Sequence, residues 1–230
     1  MKRKFTLIEL LIVVAVIVIL ISLLLPALKK AQKQAQMVSC ISNQRSCIQG
    51  VLSYQNDNNG FFRALNGAPT GLADLLGISF HVLERKKGEA YIPSKKNIFC
   101  PALPNYALLC NTVITGSKSY YAFLKGEFSE DGLKVLGKFM FVPEDGDSYD
   151  YDTAYNFGKM KSPARTILLA DAAKEDFTPF SNFHPCKGTH SIYPRHLRRA
   201  VFSFADGHVG TGAGDALKQY YVERFYKGED

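Results

Sequence analysis

The chain has 230 residues, with 28 Lys and Arg against 21 Asp and Glu and a net charge of +7. Setting aside Lys2, Arg3 and Lys4 leaves +4, too small and too dispersed for the electrostatic footprint of a nucleic-acid binder. Beyond an apolar N-terminal segment, about 200 residues remain, enough for one ordinary domain.

The first element is the apolar run from Phe5 to Leu28, which follows the three positive residues and contains one charge, Glu9. About 20 such residues in a helix span the hydrocarbon core of a bilayer. The positive flank predicts a cytoplasmic N-terminus, with everything after Leu28 outside the cytoplasmic membrane. The run is longer than the apolar core of a secretory signal, and no small-x-small cleavage site follows it. It is therefore expected to stay in the mature protein. Glu9 is the anomaly, because a carboxylate inside a membrane segment is costly and needs hydration or a partner.

The helix is expected to continue past Pro26, which removes a backbone donor and kinks it. Leu28, Ala31, Ala35, Val38, Ile41, Ile48, Val51 and Leu52 recur at helical spacing and predict one apolar face. Asp57-Asn58-Asn59-Gly60 supplies a stop. A helix from Phe5 to Asn56 is about 78 Å long, more than a domain of this size can bury. Its first half must project, and residues 29–56 can pack on a head formed by residues 57–230.

From Gly60 the apolar runs shorten. Residues 71–77 read as a short helix, and 120–124, 138–142, 165–170 and 200–204 read as strands. Asp206-Gly207, between two apolar runs, predicts a two-residue hairpin with both central residues at positive φ. Leu217, Tyr220, Tyr221 and Phe225 predict an amphipathic C-terminal helix from about Asp215. The fold class is α+β: a long N-terminal helix, half transmembrane and half amphipathic, packed on a mostly antiparallel sheet.

Among residues that could carry chemistry, the five cysteines lie outside the membrane, where disulfides form. Cys40 and Cys47 share a helix about 10.5 Å apart along its axis and cannot bridge each other. An odd count leaves at least one thiol unpaired or intermolecular. His184, His190, His196 and His208 lie near Cys186, ligands that zinc favours, but no pair has i, i+4 spacing and there is no Cys-x-x-Cys. His196 reads instead as a structural histidine bonding the hairpin turn or a backbone carbonyl. The stretch 144–152 is a solvated acidic loop by composition. As an alternative, Asp145, Asp147, Asp150 and Asp152 offer the oxygens calcium prefers, although not at EF-hand spacing. No cofactor is otherwise expected. No nucleophile elbow, phosphate loop or paired catalytic carboxylates appear, so an enzyme is not expected.

Lys4-Phe5-Thr6-Leu7-Ile8-Glu9 resembles the processing site of type IV pilins and type II secretion pseudopilins. The resemblance implies that a prepilin peptidase cuts between Lys4 and Phe5, removing residues 1–4, and N-methylates Phe5. It also implies that Glu9 pairs with the N-terminal amine of a neighbouring subunit during assembly. The family usually carries Gly where Lys4 stands. Cys40-Ile-Ser-Asn43, Tyr54, Asp57 and Gly60, then Phe99-Cys100-Pro101, Ser162-Pro163 and Ile167-Leu168-Leu169-Ala170-Asp171 are similar to a pilin-like family found largely in Planctomycetes and Lentisphaerae. The last match is the family's namesake motif, His196 followed after nine residues by Asp206-Gly207, which is associated with prepilin processing. Cys40 and Cys100 match the family's cysteines, so the resemblance implies a bridge tying helix to head, with Cys100–Cys110 as the rival pairing.

The expected protein is a structural subunit of a type IV pilus or a secretion pseudopilus. It starts in the cytoplasmic membrane and ends in a periplasmic or cell-surface filament, with the prepilin peptidase and copies of itself or related pilins as partners. The alternative is an unprocessed, membrane-anchored extracytoplasmic binding protein that recognises a surface glycan or a metal and does not polymerise.

Overall fold

The structure, a computed structural model, describes residues 6–64, 91–103, 121–124, 126, 128–141, 153–174, 182–186, 190–223 and 225. Its first element is helix α1, Leu7–Asp57, 51 residues and about 77 Å long. Thr6 caps it in a capping box. Glu9 N–H donates to Thr6 Oγ1, and Glu9 Oε2 accepts from both Thr6 N–H and Thr6 Oγ1 at 2.8 Å. Pro26 lies inside the helix without ending it. The C-terminal stop is the expected one. Asn58 caps, Asn59 and Gly60 take positive φ, and Gly60 N–H reaches back to the Gln55 carbonyl at 2.7 Å.

Every residue of α1 from Leu7 to Ala35 is exposed, and burial begins only near Met37. The buried face differs from the apolar stripe read from the sequence. It runs Cys40, Gln44, Cys47, Val51, Tyr54, with Ile48 and Gly50 beside it. The spacing of four, three, four and three is helical, but two members are cysteines and one is a glutamine, so a purely apolar template does not find it. Leu28 and Val38, counted in that stripe, are more than 60% exposed.

The head contains strands β1 (Phe61–Ala64), β2 (Ala122–Leu124), β3 (Met140–Phe141), β4 (Thr153–Asn156), β5 (Ile167–Ala170), β6 (Ala172–Lys174), β7 (Asn182–Phe183), β8 (His190–Ile192), β9 (Ala200–Phe204) and β10 (Val209–Gly212), with a short helix α2 (Glu130–Leu136). They form a five-stranded sheet ordered β10-β9-β5-β2-β7, a three-stranded sheet β1-β4-β3 and a β6-β8 pair. Among the described strands only β2 with β7 pairs in parallel, beside one isolated parallel bridge between Ile192 and Phe225. β5 and β9 are buried along their whole length because both faces of the sheet are covered. On β9, Ser203 faces α1, while Phe202 and Phe204 pack on Tyr220 from the other side.

One turn and one helix depart from expectation. Asp206-Gly207 does join β9 to β10, but only Gly207 has positive φ. Gly207 N–H donates to the Phe204 carbonyl at 3.0 Å and Phe204 N–H to the His208 carbonyl at 2.9 Å, a three-residue loop with glycine in the bulge position. The C-terminal segment Gly214–Tyr220 is a 3₁₀ helix rather than an α-helix, and Tyr221 at φ 61° ends it. The helix expected at 71–77 and the acidic stretch 144–152 lie outside the described residues.

Candidate functional site

Four segments meet under the C-terminal half of α1. Cys40 comes from α1 itself. Cys100 follows a 3₁₀ turn, Lys95–Ile98, which is docked to α1 by Asn43, whose side-chain amide donates to the Lys96 and Phe99 carbonyls, both at 3.2 Å. Asp171 sits where the chain leaves β5 for β6. Its N–H donates to the Val201 carbonyl, and its own carbonyl accepts from Tyr193 N–H. His196 opens a two-residue turn in which Leu197 and Arg198 both have positive φ and His196 and Arg199 exchange both backbone hydrogen bonds. This is the type I′ arrangement, formed without Asn or Gly, and it costs about 1–2 kcal/mol per residue. Such strain concentrates at functional positions.

The four side chains are buried, none more than 2% exposed, and their sulfur, nitrogen and oxygen atoms all lie within 4.8 Å of one another. Cys100 Sγ is 3.1 Å from His196 Nε2, which is 3.5 Å from Asp171 Oδ2. Asp171 Oδ2 is in turn 3.8 Å from Cys40 Sγ. The Tyr121 hydroxyl closes the far side, 3.4 Å from Cys40 Sγ and 3.1 Å from the Phe99 carbonyl.

This crowding divides the two thiols. Burial, the contact with Cys100 and the nearby Asp171 carboxylate push Cys40 well above the usual thiol range. The hydrogen bond from Cys40, helped by His196, outweighs burial and lowers Cys100 to about 7. Burial acts against a charged His196, but Asp171 and Cys100 outweigh it and raise the imidazole to about 9. Reactive cysteines need partial exposure, and these are sealed, so the arrangement suits holding something in place better than turning it over.

No family model, curated protein or solved structure matches the chain. The residues alone therefore carry the reading of the site. Cys40 and Cys100, expected to pair, are brought together but are free thiols, as are Cys47 and Cys186. His196 does not bond the hairpin turn through its ring. It belongs to the Cys–Asp cluster. Asp206 instead binds His208, accepting from its N–H at 3.1 Å and lying 2.6 Å from its Nδ1 on the surface. The two halves of the His…Asp-Gly motif thus have different partners. Gly207 sits over α1, where a Cβ would come within 3.0 Å of Leu52 Cδ1.

Of the other expected ligands, His184, His208 and Cys186 are not in the cluster, which is the only grouping of potential metal ligands among the described residues. Asp145, Asp147, Asp150 and Asp152, and the junction Lys4–Phe5, lie outside the described residues. Sequence reasoning missed Asp171 as a site residue. A carboxylate directly after the apolar run Ile167–Ala170 was the available signal. It also missed the tie between Glu9 and Thr6, which the Thr-x-x-Glu spacing announces.

Proposed function

We propose that the chain is a pilin-like structural subunit. It would be inserted in the cytoplasmic membrane with its N-terminus inside, cut and N-methylated at Phe5 by a prepilin peptidase, and assembled through α1 into a filament. The observation that carries this reading is the exposure of α1 from Leu7 to Ala35. Leu7, Leu11, Leu23, Leu24 and Leu28 are each more than 60% exposed. This half of α1 is long and apolar enough to cross a membrane. A side-chain face of that size in water is strongly unfavourable, at roughly 25 cal/mol per Å². Lipid covers it before assembly and the same segments of neighbouring subunits cover it afterwards.

Glu9 fits both stages. In the single chain it completes the Thr6 capping box. A carboxylate accepts about four hydrogen bonds, so the amine of a neighbouring Phe5 can join without displacing Thr6. Neutralising a buried carboxylate in this way sets the register between subunits.

The mass of the N-terminal peptide from protein made in a host with a prepilin peptidase tests the reading. N-methyl-Phe5 is expected, and Glu9→Ala is expected to insert normally but not to assemble. An intact Met1–Lys4 segment would instead support a membrane-anchored binding protein that never polymerises. Lys4, standing where the processing site usually has Gly, is the observation favouring that second reading.

A further inference from the structure

We propose that Cys40, Cys100, Asp171 and His196 form a structural zinc site that pins α1 to the head. The inference stands whether or not the chain polymerises. Its first support is distance. A tetrahedral zinc with bonds of about 2.0–2.3 Å holds its ligand atoms about 3.3–3.8 Å apart. The three successive separations, 3.1, 3.5 and 3.8 Å, lie within about 0.2 Å of that edge range, and no pair of the four atoms exceeds 4.8 Å.

The second support is the donor set. Two sulfurs, one imidazole nitrogen and one carboxylate oxygen are each ordinary zinc ligands, and together they fill a four-coordinate shell. Calcium and magnesium require oxygen alone. Cu(I) favours an all-soft set, against which Asp171 argues. A filled shell leaves no open position for water or substrate, which makes the site structural rather than catalytic.

The third is the surroundings. Tyr121 lies against Cys40 Sγ as an outer hydrogen-bond partner of a metal thiolate does. The strained Leu197-Arg198 turn holds His196 in the cluster, and His196 also borders a surface depression with Lys33, Gln36, Ala102 and Arg195. On binding, the thiols and the His196 imidazolium give up their protons to solvent, so the Zn²⁺ charge is met by two thiolates and one carboxylate around a neutral imidazole. The ligands come from positions 40, 100, 171 and 196, so one ion would cross-link the helix, the 3₁₀ turn, the exit of β5 and the His196 turn.

The test uses the full chain in detergent micelles, purified under reductant without chelator. Elemental analysis is expected to find about one zinc per chain. Asp171→Asn and Cys40→Ser are expected to lower that at least tenfold, while Cys47→Ser and Cys186→Ser leave it unchanged. Because a ligand variant can fail to fold, wild-type protein stripped of zinc and titrated with CoCl₂ gives an independent reading. The d–d bands of tetrahedral cobalt with a thiolate-to-metal charge-transfer band are expected. Octahedral cobalt, or no binding of either metal, overturns the proposal. So does an intact mass lower by two hydrogens, with the Cys40 and Cys100 peptides linked, in protein extracted without reductant.

Discussion

Gln44 and Ser203 meet across 159 residues of sequence: Ser203 Oγ donates to Gln44 Oε1 at 2.8 Å, and Gln44 Nε2 donates to the Val201 carbonyl at the same distance. Both side chains are fully buried. This pair fastens the C-terminal half of α1 to β9, one turn along from Cys40. Replacing Gln44 with Leu orphans the Ser203 hydroxyl, while the Val201 carbonyl keeps the Asp171 N–H, and an orphaned buried group costs about 1–3 kcal/mol. Gln44→Leu is therefore expected to destabilise the head by about 1–3 kcal/mol in denaturant titrations. Ser203→Ala should cost less, and a double-mutant cycle should return a coupling above about 0.5 kcal/mol. Additive single effects would show that the two residues do not cooperate.

Gly50 lies where α1 packs tightly against residues 91 and 92. A Cβ there would lie 2.8 Å from Ile92 Cγ1 and 2.9 Å from the Tyr91 carbonyl. Alanine in place of a helical glycine normally stabilises by about 1 kcal/mol. Here overpacking against backbone reverses the sign, and Gly50→Ala is expected to cost about 1–3 kcal/mol. A raised melting temperature for this variant would contradict the packing described.

The turn after His196 holds Leu197 at φ 50° and Arg198 at φ 63°. Glycine at the second position relieves a backbone conformation that costs a side-chain-bearing residue about 1–2 kcal/mol. Arg198→Gly is expected to stabilise the folded head, with the gain trimmed by the added freedom of the unfolded chain to about 0.5–1 kcal/mol. Arg198→Val, a β-branched residue poorly suited to positive φ, should move stability the other way. Thermal unfolding of the pair provides the comparison.

None of the buried residues of α1 precedes Cys40. A chain beginning at Lys29 therefore keeps every buried contact of the head. It is expected to remain soluble and monomeric without detergent in sedimentation analysis, whereas the full chain requires detergent. Aggregation of the shortened chain would mean that the apolar half of α1 covers part of the head.

Much of this architecture was legible in the chain. The long helix and its stop were, because both are local: an apolar run, a helical period and an Asn-Asn-Gly ending. The strands at Ala122–Leu124, Ile167–Ala170 and Ala200–Phe204 fall within predicted runs. The turns were less so. Asp206-Gly207 carried the strongest hairpin signal and adopts a different loop, while Leu197-Arg198 carried none and adopts the type I′ form. Here the pairing of His196 with Arg199 and the burial of the His196 ring override local preference.

The sequence by itself determined a single long helix with one half too apolar for water and the other suited to a head, since these follow from composition and period along one segment. It also placed Glu9 beside a residue able to cap the helix with it. Only the tertiary structure decided that Cys40, Cys100, Asp171 and His196 share one buried pocket. Intervals of 60, 71 and 25 residues say nothing about the separation of two sulfurs, an imidazole and a carboxylate, which depends on how the helix, the 3₁₀ turn and the exit of β5 pack together.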